Sequence, residues 1–130
     1  MNSKYSLHEP LLDNNAINEV SNCIKSGWLS SSGKNVAIFE KKIAKFNKSK
    51  FVVTCNSGTS ALHLSLKLSD VKEGDEVIVS TITFISTVNA IIYNNASPIF
   101  MDCDESLNIK ISNLILFLKK RTFRKNNKTY

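Results

Sequence analysis

From residue 51 onward the chain reads as an α/β fold, a mostly parallel sheet with flanking helices. Short apolar, β-branched runs alternate with helix-like segments, the order of parallel strands joined by helical crossovers. The runs at 51–55, 76–80 and 98–102 are also nearly continuous in apolar character, as strands covered on both faces are. In such sheets ligands gather at the carboxyl ends of the strands. Here those ends fall at 56–60, 81–84 and 102–105, so the candidate chemistry shares one edge.

Each element has a local reason. Asp13, Asn14 or Asn15 can cap a first helix whose apolar Ile17, Val20 and Ile24 lie at helical spacing, and Gly27 stands where a C-terminal glycine belongs. Residues 28–33 form a loop. A second helix carries Val36, Phe39, Ile43 and Phe46 on one face. Phe51-Val52-Val53-Thr54-Cys55 is the first expected strand, and a helix follows from Thr59 through Leu68. Lys72-Glu73-Gly74-Asp75 is a polar turn into the second strand. A helical stretch then runs to Tyr93, where Asn94 and Asn95 break it before the third strand at 98–102. Ser112 is expected to cap a last helix spanning 114–120, and no closing strand is expected after it.

The 130 residues carry a formal charge of +6, which suggests a nucleic-acid binder until the charge is located. Seven of the 17 basic residues lie in 110–130, where there is no acid, so the first 109 hold 10 basic residues against all 11 acidic ones. The basicity belongs to a solvated tail, and neither nucleic acid nor a membrane surface is expected as partner. The longest fully apolar run, 114–118, is far too short to span a bilayer. Cys23, Cys55 and Cys103 form no CxxC pair, and the first twelve residues hold no apolar leader. They read as reduced thiols filling core space in a cytoplasmic protein.

Asn56-Ser57-Gly58-Thr59-Ser60-Ala61-Leu62-His63 is the most informative stretch. A strand turning through small polar residues into a helix N-terminus is suited to an anion, because the first helical N–H groups lack partners and carry partial positive charge. Gly58 allows close approach, and Ser57, Thr59 and Ser60 add hydroxyls. The same residues also suit an ordinary turn capped by Ser57 or Thr59. Phe84, just beyond the second strand, offers a flat face beside that anion, or else anchors the next helix in the core. His63 reads as a surface or half-buried residue, and Asp102 and Asp104 as turn-forming acids. Two other phosphate loops are excluded: five residues, not four, separate Gly27 from Gly33, and no GxGxxG occurs. His8 and His63 assemble no nucleophilic triad.

Five segments in register carry a family resemblance. They are Gly27-Trp28-Leu29-Ser30-Ser31-Ser32-Gly33-Lys34 with Phe39-Glu40, the 56–63 loop, Glu73-Gly74-Asp75-Glu76-Val77-Ile78, Thr83-Phe84-Ile85-Ser86-Thr87-Val88-Asn89-Ala90, and Pro98-Ile99-Phe100-Met101-Asp102. Together they closely resemble the N-terminal part of the DegT/DnrJ/EryC1/StrS family of PLP-dependent sugar aminotransferases. Leu7-His8-Glu9-Pro10 and Arg121-Thr122-Phe123 also resemble a subset acting on nucleotide-linked 4-keto sugars in nonulosonic (legionaminic-type) acid pathways.

The resemblance implies the N-terminal part of the large domain of a fold-type I aminotransferase, working as a homodimer on a nucleotide-linked keto sugar with glutamate as amino donor. Residues 1–50 would supply helices with a substrate and dimer loop, and 51–130 the start of an incomplete PLP-binding domain. Carried over by position, Ser57, Gly58 and Thr59 would hold the phosphate of pyridoxal 5'-phosphate, and Phe84 would stack on its ring. Trp28, Ser30, Ser32 and Lys34 would approach the substrate. The Schiff-base lysine and the aspartate at the pyridine nitrogen are expected beyond Tyr130, so the 130 residues alone are expected to be inactive and marginally folded. Two alternatives stay open: a PLP-dependent sugar dehydratase of the same family, and a non-catalytic module binding a phosphate ligand or a partner.

Overall fold

Asp13 opens the first helix, α1 (Asn14–Ser26), by accepting the Ala16 N–H on its carboxylate at 2.8 Å. Gly27 closes it at φ 73°, in the left-handed region where a Cβ is costly, and its N–H returns to the Ile24 carbonyl. These positions belong to a computed structural model that describes residues 9–125 and 128–129. Leu7 and His8, two of the residues carrying the finer resemblance, lie outside the described residues, as do Asn126, Asn127 and Tyr130 at the end of the tail. No described helix is long and apolar enough to cross a membrane.

The chain forms two compact units, Met1–Thr54 and Cys55–Tyr130. In the first, α1 is followed by the loop at 28–33 and by α2 (Lys34–Asn47). Lys48 ends α2 in the left-handed conformation, with Ser49 N–H on the Ala44 carbonyl. The strand expected at 51–55 is not formed. Phe51 and Val53 are 78% and 77% exposed while Val52 and Thr54 are half-buried, so the segment keeps the two-residue alternation of extended chain. A strand needs a ladder, however, and none of the described strands pairs with it. Thr54 sends its N–H and its hydroxyl to the Glu40 carboxylate instead, at 2.9 and 3.0 Å.

The second unit contains α3 (Gly58–Leu68), β1 (Glu76–Ser80), α4 (Ile85–Ile92), β2 (Ser97–Met101) and α5 (Ile111–Arg121). Strands β1 and β2 pair in parallel from Glu76–Ser97 to Ser80–Met101, and α4 is the crossover that this pairing requires. Val79, Ile91 and Ala96 form the core, with Leu66, Val71, Val77 and Val88 packed against it. Helix α3 lies on α4, and α4 on the sheet. At the amino edge the two turns entering the strands are tied together, Gly74 N–H to Asn95 O at 3.1 Å and Ser97 N–H to Asp75 O at 2.8 Å.

Two details depart from the sequence expectation. Helix α5 starts at Ile111, so Ser112 lies inside it and caps nothing. The Cys103–Ile109 bridge and the Lys110 N–H bond to Asp102 O at 2.8 Å pin the chain just ahead of Ile111. The tail also forms a short antiparallel pair, β3 (Arg124–Lys125) with β4 (Lys128–Thr129), where no strand was expected.

Candidate functional site

The carboxyl end of the second unit is assembled by chain direction. Helix α4 leaves the end of β1 at Ser80 and returns to the amino edge before β2. Helix α3 likewise leads through the 69–75 turn to the amino start of β1. Both helices therefore run from the carboxyl edge to the amino edge, and their N-termini, at Gly58 and Ile85, share the end where ligands gather in parallel sheets.

At the start of α3, Ser57 is extended (φ −157°, ψ 160°) and its Oγ accepts the Ser60 N–H at 3.2 Å. Its carbonyl takes the first intrahelical bond, from Ala61 N–H at 3.1 Å. Among the described residues no group accepts the N–H of Gly58 or Thr59. Those two donors, at the positive end of an 11-residue helix, are what an oxyanion needs. A Cβ built on Gly58 would meet nothing within 4 Å, so the approach is open, and Gly58 is not in the left-handed region. The capping role, one of the two the sequence left open, is filled by Ser57, which takes the Ser60 donor and leaves the two ahead of it, on Gly58 and Thr59, free.

Phe84 is the N-cap residue of α4 and is 78% exposed, so it is not the core anchor that its apolar character allowed. Its loop is braced by Ser80 Oγ donating to the Ile82 carbonyl at 3.0 Å and Thr83 Oγ1 to Thr87 Oγ1 at 3.1 Å. Of the acids at 102–105, Asp104 serves a turn. Asp104 accepts the Ser106 N–H and hydroxyl on one oxygen, a turn-closing arrangement, and no metal-holding group of three occurs among the described residues.

Sequence reasoning missed Cys103. Its Sγ lies 2.9 Å from Ser80 Oγ and 3.5 Å from Thr81 Oγ1, and these hydroxyls, Ser80 foremost, hold the thiol below its usual range. None of the three cysteines fills the core as expected: Cys55 is exposed, and Cys23 and Cys103 are half-buried. No spacing pattern in the sequence signals the Ser80 contact, which joins residues 23 apart.

In the first unit a groove of about 540 Å³ gathers Trp28, Ser30 and Lys34 with Cys23, whose Sγ receives the Asn35 Nδ2 donor at 2.9 Å. Ser32 is exposed on the same loop but does not line the groove. The groove thus offers an indole, a hydroxyl and an amine together: the indole can pack on a ring, and the amine can meet a negative charge.

Residues 10–125 match the model of the DegT/DnrJ/EryC1/StrS aminotransferase family. The chain is 39% identical over 117 residues to the GDP-perosamine synthase of Vibrio cholerae, covering 89% of this chain and 32% of that protein. Its fold is similar to the crystal structure of the aminotransferase TlmJ from Streptoalloteichus hindustanus, with a TM-score of 0.77 and 31% identity over 89% of this chain and 32% of that one. It is also similar to E. coli GDP-4-keto-6-deoxy-D-mannose-3-dehydratase with bound hydrated PLP, with a TM-score of 0.74 and 27% identity over 85% of this chain and 30% of that one. The chain spans about a third of the length of the curated relatives it matches.

Proposed function

The chain belongs to the DegT/DnrJ/EryC1/StrS aminotransferase family, and on that premise we propose that it forms the cofactor-phosphate part of a PLP-dependent enzyme passing an amino group from glutamate to a 4-keto nucleotide sugar. The observation that carries the reading is the start of α3, where the Gly58 and Thr59 N–H groups are free beside an open approach. These donors fit the dianionic phosphate ester of pyridoxal 5'-phosphate, and the Thr59 hydroxyl adds a third. Ser57 holds the helix start in shape while its Oγ faces the Ser60 hydroxyl. Phe84, exposed at the start of α4, would stack on the pyridine ring. When bound, the cofactor supplies the electron sink and carries the amino group.

In the first unit, the Lys34 amine would neutralise the diphosphate of the nucleotide sugar, Trp28 and Ser30 would contact its sugar or base from the groove, and Ser32 would reach it only from the exposed loop beside the groove. The GDP-linked sugars named in two similar proteins support a nucleotide-linked substrate. The homodimer rests on the family resemblance, and the cytoplasmic location on the three widely spaced cysteines. A dehydratase reading has the similarity to the E. coli enzyme in its favour. The two reactions divide on the residue facing the cofactor's carbonyl carbon, a lysine for amino transfer and a histidine for dehydration.

Calorimetric titration with pyridoxamine 5'-phosphate tests the reading, since this amine forms no Schiff base with surface lysines. Binding at least about tenfold tighter than that of unphosphorylated pyridoxamine is expected, weakened by Thr59→Val. Equal affinities for the two amines, or no binding, would overturn it.

A further inference from the structure

Helices α3 and α4 meet through one ring pair among the described residues. The His63 imidazole and Tyr93 phenol lie with centroids 5.8 Å apart at 63°, an edge-to-face contact. His63 is half-buried on α3, and Tyr93 is the C-cap of α4. The His63 Nε2 is fully enclosed and has no hydrogen-bond partner. Stranding a buried nitrogen is unfavourable, so the Nε2 contributes nothing here and what the side chain supplies is its ring. The ring contact is therefore the informative property of this position.

We propose that His63 and Tyr93 are positioning residues that fix the offset between the phosphate-binding start of α3 and the aromatic face of Phe84. The inference rests on the cofactor reading above. His63 lies five residues beyond Gly58, and Tyr93 nine beyond Phe84, on helices running in the same sense. At about 1.5 Å per residue the ring pair lies about 7 Å from the level of Gly58 and about 13 Å from that of Phe84. Phe84 therefore overhangs the phosphate donors by about one helical turn. A ligand with its anionic end at Gly58 and a flat ring about a turn further out spans this step. A ligand that is only an anion does not sense the offset, because its donors all belong to α3.

That difference sets the test. The whole chain and its His63→Leu, Tyr93→Leu and His63→Phe variants are titrated with pyridoxamine 5'-phosphate and, separately, with inorganic phosphate. Removing the ring contact, in either leucine variant, is expected to weaken pyridoxamine 5'-phosphate about fivefold to tenfold while leaving phosphate unchanged. His63→Phe, which keeps an aromatic edge and removes the orphan nitrogen, is expected to retain the unsubstituted affinity. A parallel loss of both ligands in the leucine variants means general loosening of the unit and overturns the proposal. So does an unchanged affinity for pyridoxamine 5'-phosphate, or a failure of His63→Phe to retain it. If the unsubstituted chain binds phosphate but does not prefer pyridoxamine 5'-phosphate, the cofactor reading itself falls, and this proposal with it.

Discussion

Ser57 and Ser60 bind each other twice: the Ser60 N–H donates to Ser57 Oγ at 3.2 Å, and the two hydroxyl oxygens lie 3.1 Å apart. The cap thus occupies the third donor of α3 and keeps the second hydroxyl at the same mouth. Ser57→Ala removes the cap at a cost of about 1 kcal/mol of stability. Ser57→Asp keeps an equally good cap but places a negative charge beside the proposed phosphate position. Both variants are expected to weaken pyridoxamine 5'-phosphate, while thermal stability falls only for the alanine. An aspartate variant that binds as well as the unsubstituted chain would move the phosphate away from this helix start.

Glu40 and Thr54 make the link that replaces the missing ladder at 51–55. The carboxylate takes both Thr54 donors, and hydrogen bonds to a charged acceptor contribute about 1.5–3 kcal/mol when partly shielded from water. Glu40→Ala should therefore release the extended segment. Amide exchange at Thr54 is expected to accelerate by about tenfold or more, while amides within α1 change little. Unchanged exchange at Thr54 would mean that the bond does not hold the segment.

The ends of α1 and the cap of α3 were legible because their causes are local. Asp13 and Ser57 bond to N–H groups three residues on, and Gly27 closes α1 through its own φ, so the residue type at each position announces the element. The β1–β2 pair was legible for the same reason, since the crossover lies between the two strands in sequence. The 51–55 segment was misread because its apolar, β-branched residues specify extended backbone but not a neighbour. The start of α3 was legible as a run of small polar residues ahead of an apolar helix. Phe84's exposure was not, because an aromatic at a helix start suits a core as well as a ligand. Contacts between residues distant in sequence, Ser80 with Cys103 and His63 with Tyr93, leave no periodic trace.

Asp104 gives a pH prediction of definite sign. The Ser106 hydroxyl and then the Ser106 N–H hold its carboxyl below the ordinary range. A carboxyl whose folded value is depressed adds stability above its unfolded value and loses it as pH falls through the folded one. Ser106→Ala removes the larger cause, so the Asp104 titration, followed by carboxyl carbon chemical shift, is expected to move upward toward the ordinary value. The stability that Asp104 contributes above its unfolded value shrinks in the same variant. An unmoved midpoint would assign the depression to the backbone and to Lys110 instead.

The apolar stripe of α1 supplies the last prediction. Ile17, Val20 and Ile24 follow one helical face, yet they are 55%, 60% and 59% exposed. A stripe of this kind is the usual mark of a surface that another polypeptide covers, and uncovered it attracts apolar probes. If the stripe supported the unit's own packing, Val20→Lys would expel a buried methyl pair and cost at least about 1 kcal/mol. Because the side chain already stands in water, the substitution is expected to change stability by less than about 0.5 kcal/mol. The fluorescence of a bound anilinonaphthalene dye should fall in the same variant, since a charge now interrupts the apolar face. A clear loss of stability together with unchanged dye binding would show that the stripe is packed within the chain.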